Sequence, residues 1–380
     1  IRTMNEKEVG ELRRRFKADK SAITHVRGCY VNEKKEIVSQ FDQSLALMSE
    51  EESEKLLAIL RRTLSGGIDR NLVDISFATK QVAEGEGHKL LMALRDSGLG
   101  DEEAVQAFFQ KAIDSLDLEG GYLILLAHDR YDVPYRAKDG ETQKDASEEV
   151  YSYILCSVCP VKQTKPALSF QARESRFYNR QADWLVSPPE VGFLFPAFDD
   201  RTTNLYDALY YNRDVGENHE DFAQAVFASP IPMPAQAQKE TFQNILGETL
   251  GEECSYDVVQ AVHDQLRELV EEHKENKEEE PLMVSKGAVK CVLLSCGVSE
   301  SHVNAFDSRY DDSFGAETRL SPKNLVDAKQ VQVSMPDVTI KVSPEYSALV
   351  ETRSIDGKKY ILIPAEGEVE VNGVPIHIDG

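Results

Sequence analysis

Apolar residues recur along this chain with two periods, and the change of period divides it. Val9, Leu12 and Phe16 follow helical spacing and predict a first helix over Glu6 to Ala18. GCYVNEKKEIVSQF then reads as two short strands around a polar turn near Asn32 to Lys35. Ser49 with Glu52 forms a capping box ahead of Leu56, Leu57, Ile59 and Leu60, which predicts a second helix. NLVDISFATKQV reads as extended, and HKLLMALRDSGLG with DEEAVQAFFQKAIDSL as two antiparallel helices.

Tyr122 to Ala127 is apolar at every position, as in a strand buried on both faces. VYSYILCSVCPV, from Val150, has the same character, and the polar AKDGETQKDASEE between them reads as a loop. VGFLFPAF, from Val191, adds a further strand. SPIPMPAQAQKE, from Ser229, reads as a linker. Beyond it, Val259, Val262, Leu266 and Leu269 return to helical spacing, and two more helices are predicted over Gly287 to Cys296 and Glu300 to Ser313. Gly297 and Ser299 supply the stop and start between them. The last stretch switches to a period of two, with hairpin turns at Asp356-Gly357 and Asn372-Gly373, and predicts a small antiparallel sheet. The expected fold is α+β: a core over 1–230, a helical segment over 231–318 and a β segment over 319–380.

Composition narrows the function. The formal net charge is -23, which repels phosphate backbones and argues against general nucleic-acid binding, a local basic patch excepted. No apolar run approaches the ~20 residues of a membrane span, and the N-terminal residues lack the apolar centre of a signal peptide. The expected location is the cytoplasm, with Met4 as an alternative start. Six cysteines in 380 residues are too sparse for a disulfide framework.

Two polar clusters follow apolar strands. One is His128, Asp129, Arg130 and Asp132; the other is Asp199, Asp200 and Arg201. If the two strand ends converge, Asp129, Asp132, Asp199 and Asp200 could hold Mg²⁺ or Mn²⁺ for phosphoester hydrolysis, with His128, Asp129 and Asp132 as catalytic candidates. The plainer reading is strand-end capping and solvated ion pairs, with no cofactor. Cys156 and Cys159 have C-x-x-C spacing, but in a strand positions three apart face opposite sides, so they read as buried structural thiols. Arg13, Arg14 and Arg15, with Lys17, Lys20 and Arg27, could meet an anion or nucleic acid, yet read more simply as the solvated face of the first helix. The helix pair around Gly297 has a helix-turn-helix outline, but its second helix carries Glu300, Asp307, Asp311 and Asp312 against Arg309. That charge suits a structural hairpin packing Val303, Phe306 and Tyr310 inward. No phosphate-binding loop, nucleophile elbow or H-E-x-x-H is present.

The segments ELRRRFKADKSAITHVRGCYVNEKKEIVSQFDQSLALM, HKLLMALRDSGLGDEEAVQAFF and IKVSPEYSALVETRSIDGKKYILIP together resemble the domain of unknown function 4317 family of Gram-positive, mostly anaerobic bacteria. The resemblance implies a cytoplasmic bacterial protein and brings no activity or functional residues with it. GGYLILLAHDRY is also similar in layout to nucleoid-associated proteins, in which a glycine pair leads into a buried strand. The leading expectation is a non-enzymatic protein acting through contact with a protein partner that the sequence leaves unnamed. The alternatives are the metal-dependent phosphoester hydrolase and a nucleoid-type DNA-associated protein.

Overall fold

The computed structural model describes residues 4–136, 142–276, 278, 280–365, 367 and 369–378. The chain divides into two compact units, residues 1–237 with 279–281 and residues 238–278 with 282–380. The fold is α+β.

The first unit is built on an antiparallel sheet. Its strands are β1 (His25–Val31), β2 (Ile37–Ser44), β3 (Leu72–Ser76), β4 (Tyr122–Arg136) and β5 (Thr142–Gln163). After two short strands, β6 (Ala167–Gln171) and β7 (Arg176–Arg180), come β8 (Trp184–Val186) and β9 (Val191–Phe195). A small hairpin, β10 (Ala197–Asp199) and β11 (Thr202–Asn204), precedes β12 (Asp207–Asn212). The strand order is β2-β1-β4-β5-β9-β12-β3, with β8 paired to the far end of β5.

Helices cover both faces. On one face, α4 (Glu86–Asp96), α5 (Glu102–Ser115) and α6 (Glu220–Phe227) bury Leu91, Leu94, Phe108, Phe109, Phe222 and Phe227 against Ile124, Leu126, Cys156 and Phe193. On the other, α1 (Glu6–Arg13) and α2 (Glu50–Arg61) bury Val9, Leu12, Leu57 and Leu60 against Leu125, Ala127, Leu155 and Leu194. The central strands are therefore walled on both sides: Ile154 to Val158 and Val191 to Phe195 are buried at every position. Close approach is built in at Gly192, where a Cβ would lie 2.2 Å from the Cys156 carbonyl oxygen and 2.7 Å from Thr63 Cγ2. Only glycine lets β9 lie against β5 there.

Local signals hold where the chemistry is local. Asn5 and Ser49 each cap a helix through a complete capping box, with Glu8 and Glu52 reaching back. Other expectations shift. The first helix ends at Arg13 rather than Ala18, and FATKQV turns helical, as α3 (Thr79–Glu84), after β3. Of the segment expected as a loop before Val150, residues 137–141 lie outside the described residues, and from Thr142 the chain is already strand.

The second unit holds all but the first three residues of α7 (Ala235–Leu250), then α8 (Tyr256–Glu275), α9 (Lys286–Ser295), α10 (Glu300–Phe314) and the short α11 (Pro322–Leu325). The helix of α7 already includes AQAQKE, which the composition suggests as linker. Phe242, Leu246, Val262, Leu266, Leu293 and Phe306 form its core. The expected single C-terminal sheet is instead three separate two-stranded hairpins: β13 (Val331–Met335) with β14 (Val338–Val342), β15 (Glu351–Ile355) with β16 (Lys358–Leu362), and β17 (Val369–Val371) with β18 (Val374–Ile376). Asp356-Gly357 and Asn372-Gly373 make the two predicted turns, all four residues at positive φ.

Candidate functional site

The polar cluster at His128 lies inside a strand, not at its end, because β4 runs on to Arg136 and stays paired with β5. Its register shifts on both sides of Pro134, the residue that cannot donate to the ladder. Alternation then separates neighbours. His128 belongs to the α4–α6 face, where its Nε2 lies 2.8 Å from Ser152 Oγ and Gly98 packs beside its ring. Burial lowers the His128 pKa, with nearby Arg130 and Arg95 adding to the effect and Asp129 opposing it. Asp129 points to the α1–α2 face and is 1% exposed. Asp132 is exposed.

Asp129 is fully engaged. Arg15 grips it with two bonds, Nε to Oδ2 at 3.0 Å and Nη2 to Oδ1 at 3.0 Å. The Ala22 amide donates to Oδ1 at 3.0 Å and the Tyr153 hydroxyl to Oδ2 at 2.8 Å. Arg15 also lies 4.5 Å over the Tyr131 ring. Tyr131 donates to Glu11 at 2.7 Å, and Glu11 accepts two bonds from Arg201, at 3.1 and 3.0 Å. Arg201 in turn donates to the Pro134 carbonyl at 2.9 Å. Arg13 donates to the carbonyls of Leu64 and Gly66. The N-terminal arginines Arg13 and Arg15 are thus not a solvated face. Arg15 and Glu11 tie the turn after α1 and α1 itself to β4, and Arg13 ties α1 to the segment that follows α2.

Asp199, Asp200 and Arg201 sit in the β10–β11 hairpin, whose two-residue turn places Asp200 and Arg201 at φ 52° and 57°. Backbone amides of this turn donate to Glu8, whose pKa burial raises, with Asp199 adding to the rise. Asp129, Asp132, Asp199 and Asp200 do not come together as ligands: among the described residues, no group of three or more His, Cys, Asp or Glu is placed to hold a metal ion. The physical reason is that Asp129 is turned inward onto Arg15 and Tyr153, while Asp132 faces solvent.

Cys156 lies in one core and Cys159 in the other, as strand alternation requires. Burial pushes the Cys156 thiol well up and the Cys159 thiol up to about 12, so neither is a nucleophile. In the second unit, Ser299, His302 and Glu253 contain the residue types of a hydrolytic triad. Yet Ser299 Oγ and Glu253 Oε2 both lie on His302 Nδ1, at 3.2 and 2.8 Å, whereas a triad needs them on opposite ring nitrogens. Glu253 also accepts from the Ser299 amide at 2.9 Å, which makes this a cap for α10. Val303, Phe306 and Tyr310 pack inward as expected, and Lys286 and Lys290 both reach Asp307 at 3.1 Å, tying α9 to α10.

What remains open is surface. In β13–β14, Val331, Val333 and Met335 pair with Val342, Ile340 and Val338 on one face, which is buried at Val331 and exposed at Met335 and Val338. Val369, Val371, Val374 and Ile376 likewise line one face of β17–β18, with Val374 62% exposed. A second exposed surface, on β6, β7 and β8, interleaves aromatic and basic residues. The chain-wide charge conceals it; a charge count in a 25-residue window would have exposed it. No helix among the described residues is long and apolar enough to cross a membrane.

An antiparallel sheet walled by helices, a closed polar network beneath α1 and uncovered hairpins define an α+β protein whose open features are surfaces. The chain belongs to the family described as Domain of unknown function (DUF4317), which it matches over residues 4–374. No curated protein and no solved structure matches it.

Proposed function

We propose that the protein is non-enzymatic and acts through contact with another protein, using the hairpins of residues 331–378. The observation that carries this reading is the apolar face of β17–β18, whose Val371, Val374 and Ile376 are all exposed. A two-stranded hairpin is marginal alone in water and is stabilised when a further strand or apolar face covers it. Its unpaired edges accept an added strand, and its apolar face supplies specificity. The inward commitment of Asp129 supports the same reading, because it leaves the former catalytic candidate no free oxygen for a metal or a substrate. All six cysteines are free, a state kept by a reducing compartment, and the proposal places the contact in the cytoplasm.

The test is affinity purification of the tagged full chain from its own cells, with cross-linking and hydrogen exchange on the complex. Protection at residues 331–378 and loss of the partner in a Val374→Lys, Ile376→Lys double variant are expected. A partner held equally by the double variant would overturn the proposal, as would Mg²⁺- or Mn²⁺-dependent phosphodiester hydrolysis by the wild type.

A further inference from the structure

We propose that β6, β7 and β8 of the first unit form a binding platform for single-stranded nucleic acid, a reading that does not draw on the hairpins of residues 331–378. Between residues 162 and 186 stand Lys162, Lys165, Arg173, Arg176 and Arg180 against Glu174 and Asp183. This surplus of positive charge sits in a chain whose total is -23. The surplus is available: Arg176 pairs with exposed Glu174, but Lys162, Lys165, Arg173 and Arg180 make no ion pair among the described residues. Every residue of β7 and β8 is exposed.

The register sorts these residues by face. Phe170 pairs across the hairpin with Phe177, their ring centroids 5.2 Å apart, and the two rings are 56% and 68% exposed. Leu168 continues that face. On the opposite face, Arg176, Tyr178 and Arg180 alternate along β7. Trp184, 53% exposed, rests against Tyr30 with ring centroids 5.9 Å apart.

The cross-strand ring pair stabilises the hairpin and still leaves both rings more than half exposed. The rings lie on one face of the hairpin and Arg176 and Arg180 flank Tyr178, 43% exposed, on the other, so an unpaired strand that passes the hairpin edge can stack bases on the rings and set phosphates against the cations. A duplex hides its base faces by self-stacking and carries denser charge, which the rest of this acidic surface repels. At physiological salt that repulsion is screened beyond ~8 Å, so a projecting cationic hairpin can act locally.

The experiment is fluorescence anisotropy of a labelled oligothymidine of about 15 nucleotides with the full chain, against a duplex of equal length and against polyglutamate. Tighter binding of the single strand is expected. A plot of log K against log salt should have a slope between about -2 and -3.5, given about 0.7 counterions released per phosphate and up to five cations. Phe170→Leu with Phe177→Leu keeps an apolar ladder but removes the rings, and should weaken binding about tenfold or more. Arg176→Ala with Arg180→Ala should flatten the slope by about 1.4. Retained Trp184 fluorescence checks that both variants fold. Absence of binding at low salt, binding indifferent to both variants, or a duplex bound as tightly would overturn the proposal. So would equal competition by polyglutamate, which would make this an acidic-protein surface, or a dimer in light scattering that the phenylalanine variant dissolves.

Discussion

Arg15 and Asp129 lie 114 positions apart in the sequence and meet in a two-pronged ion pair, each N–O distance 3.0 Å, under the turn that follows α1. Arg15 retains 14% exposure while Asp129 has 1%. The arginine can be lost to solvent, but the carboxylate cannot.

Arg15→Ala is therefore expected to cost on the order of 3 kcal/mol, because it leaves a buried charge with only the Tyr153 hydroxyl and the Ala22 amide. Arg15→Met with Asp129→Leu should cost less than Arg15→Ala alone, since no charge is stranded. Urea unfolding followed by Trp184, the single tryptophan and a residue of the first unit, measures both. A double variant weaker than the single one would refute the account.

Asp74 gives the opposite sign. On β3, on the α1 side of the sheet, burial holds its carboxyl well above its ordinary 3.8, and Asp69, Asp207, Asp199 and Glu8 reinforce the shift. The folded state then keeps a proton that the unfolded state releases, so this group's contribution falls as pH rises above that ordinary value. Asp74→Asn should raise the Tm at about pH 7, with the gain shrinking toward about pH 4. A gain independent of pH would point to a cause other than the proton.

His263 on α8 makes the second unit acid-sensitive. Burial lowers its pKa to about 4, helped by Arg267 and Lys239 against Asp264. Between that value and the ordinary 6.5 only the unfolded chain binds the proton, so stability is full above 6.5 and is lost as pH falls toward 4. The loss should reach roughly 3 kcal/mol. His263→Gln should flatten this dependence in hydrogen exchange of the 256–275 amides.

Thiol titration of the native chain should find Cys291 and Cys296 fast, since both are exposed. Cys29, Cys156 and Cys159 are buried, and burial raises all three pKa values, so they should react only after unfolding. Rapid modification of Cys156 in the folded protein would contradict the two-core placement.

The sequence is readable where the cause is near at hand. Ser49 with Glu52 and Asn372 with Gly373 are three or fewer residues apart, and the elements they predict are present. Tyr122 to Ala127 reads as a strand buried on both faces because every position is apolar. The strand's continuation is not legible, because His128, Asp129 and Arg130 look like an exit until Arg15 and Ser152 supply their partners. The same distance hides the role of the arginines: a basic run on a short helix looks solvated until the Leu64 carbonyl and Asp129 appear beneath it. Hairpins that remain separate cannot be told from one sheet by alternation, which reports a face and not its neighbour.

The central strands have a consequence for variation. Where a sheet has one wet face, a full substitution scan alternates between tolerant and intolerant sites. Ile154 to Val158 and Val191 to Phe195 have no wet face, so that rhythm should vanish there into an unbroken block of intolerance. On β15, where all five positions meet solvent, it should vanish the other way, into uniform tolerance. In this family, then, drift in sequence should be concentrated at exposed polar positions such as those of β15, while the middle of the sheet stays nearly fixed.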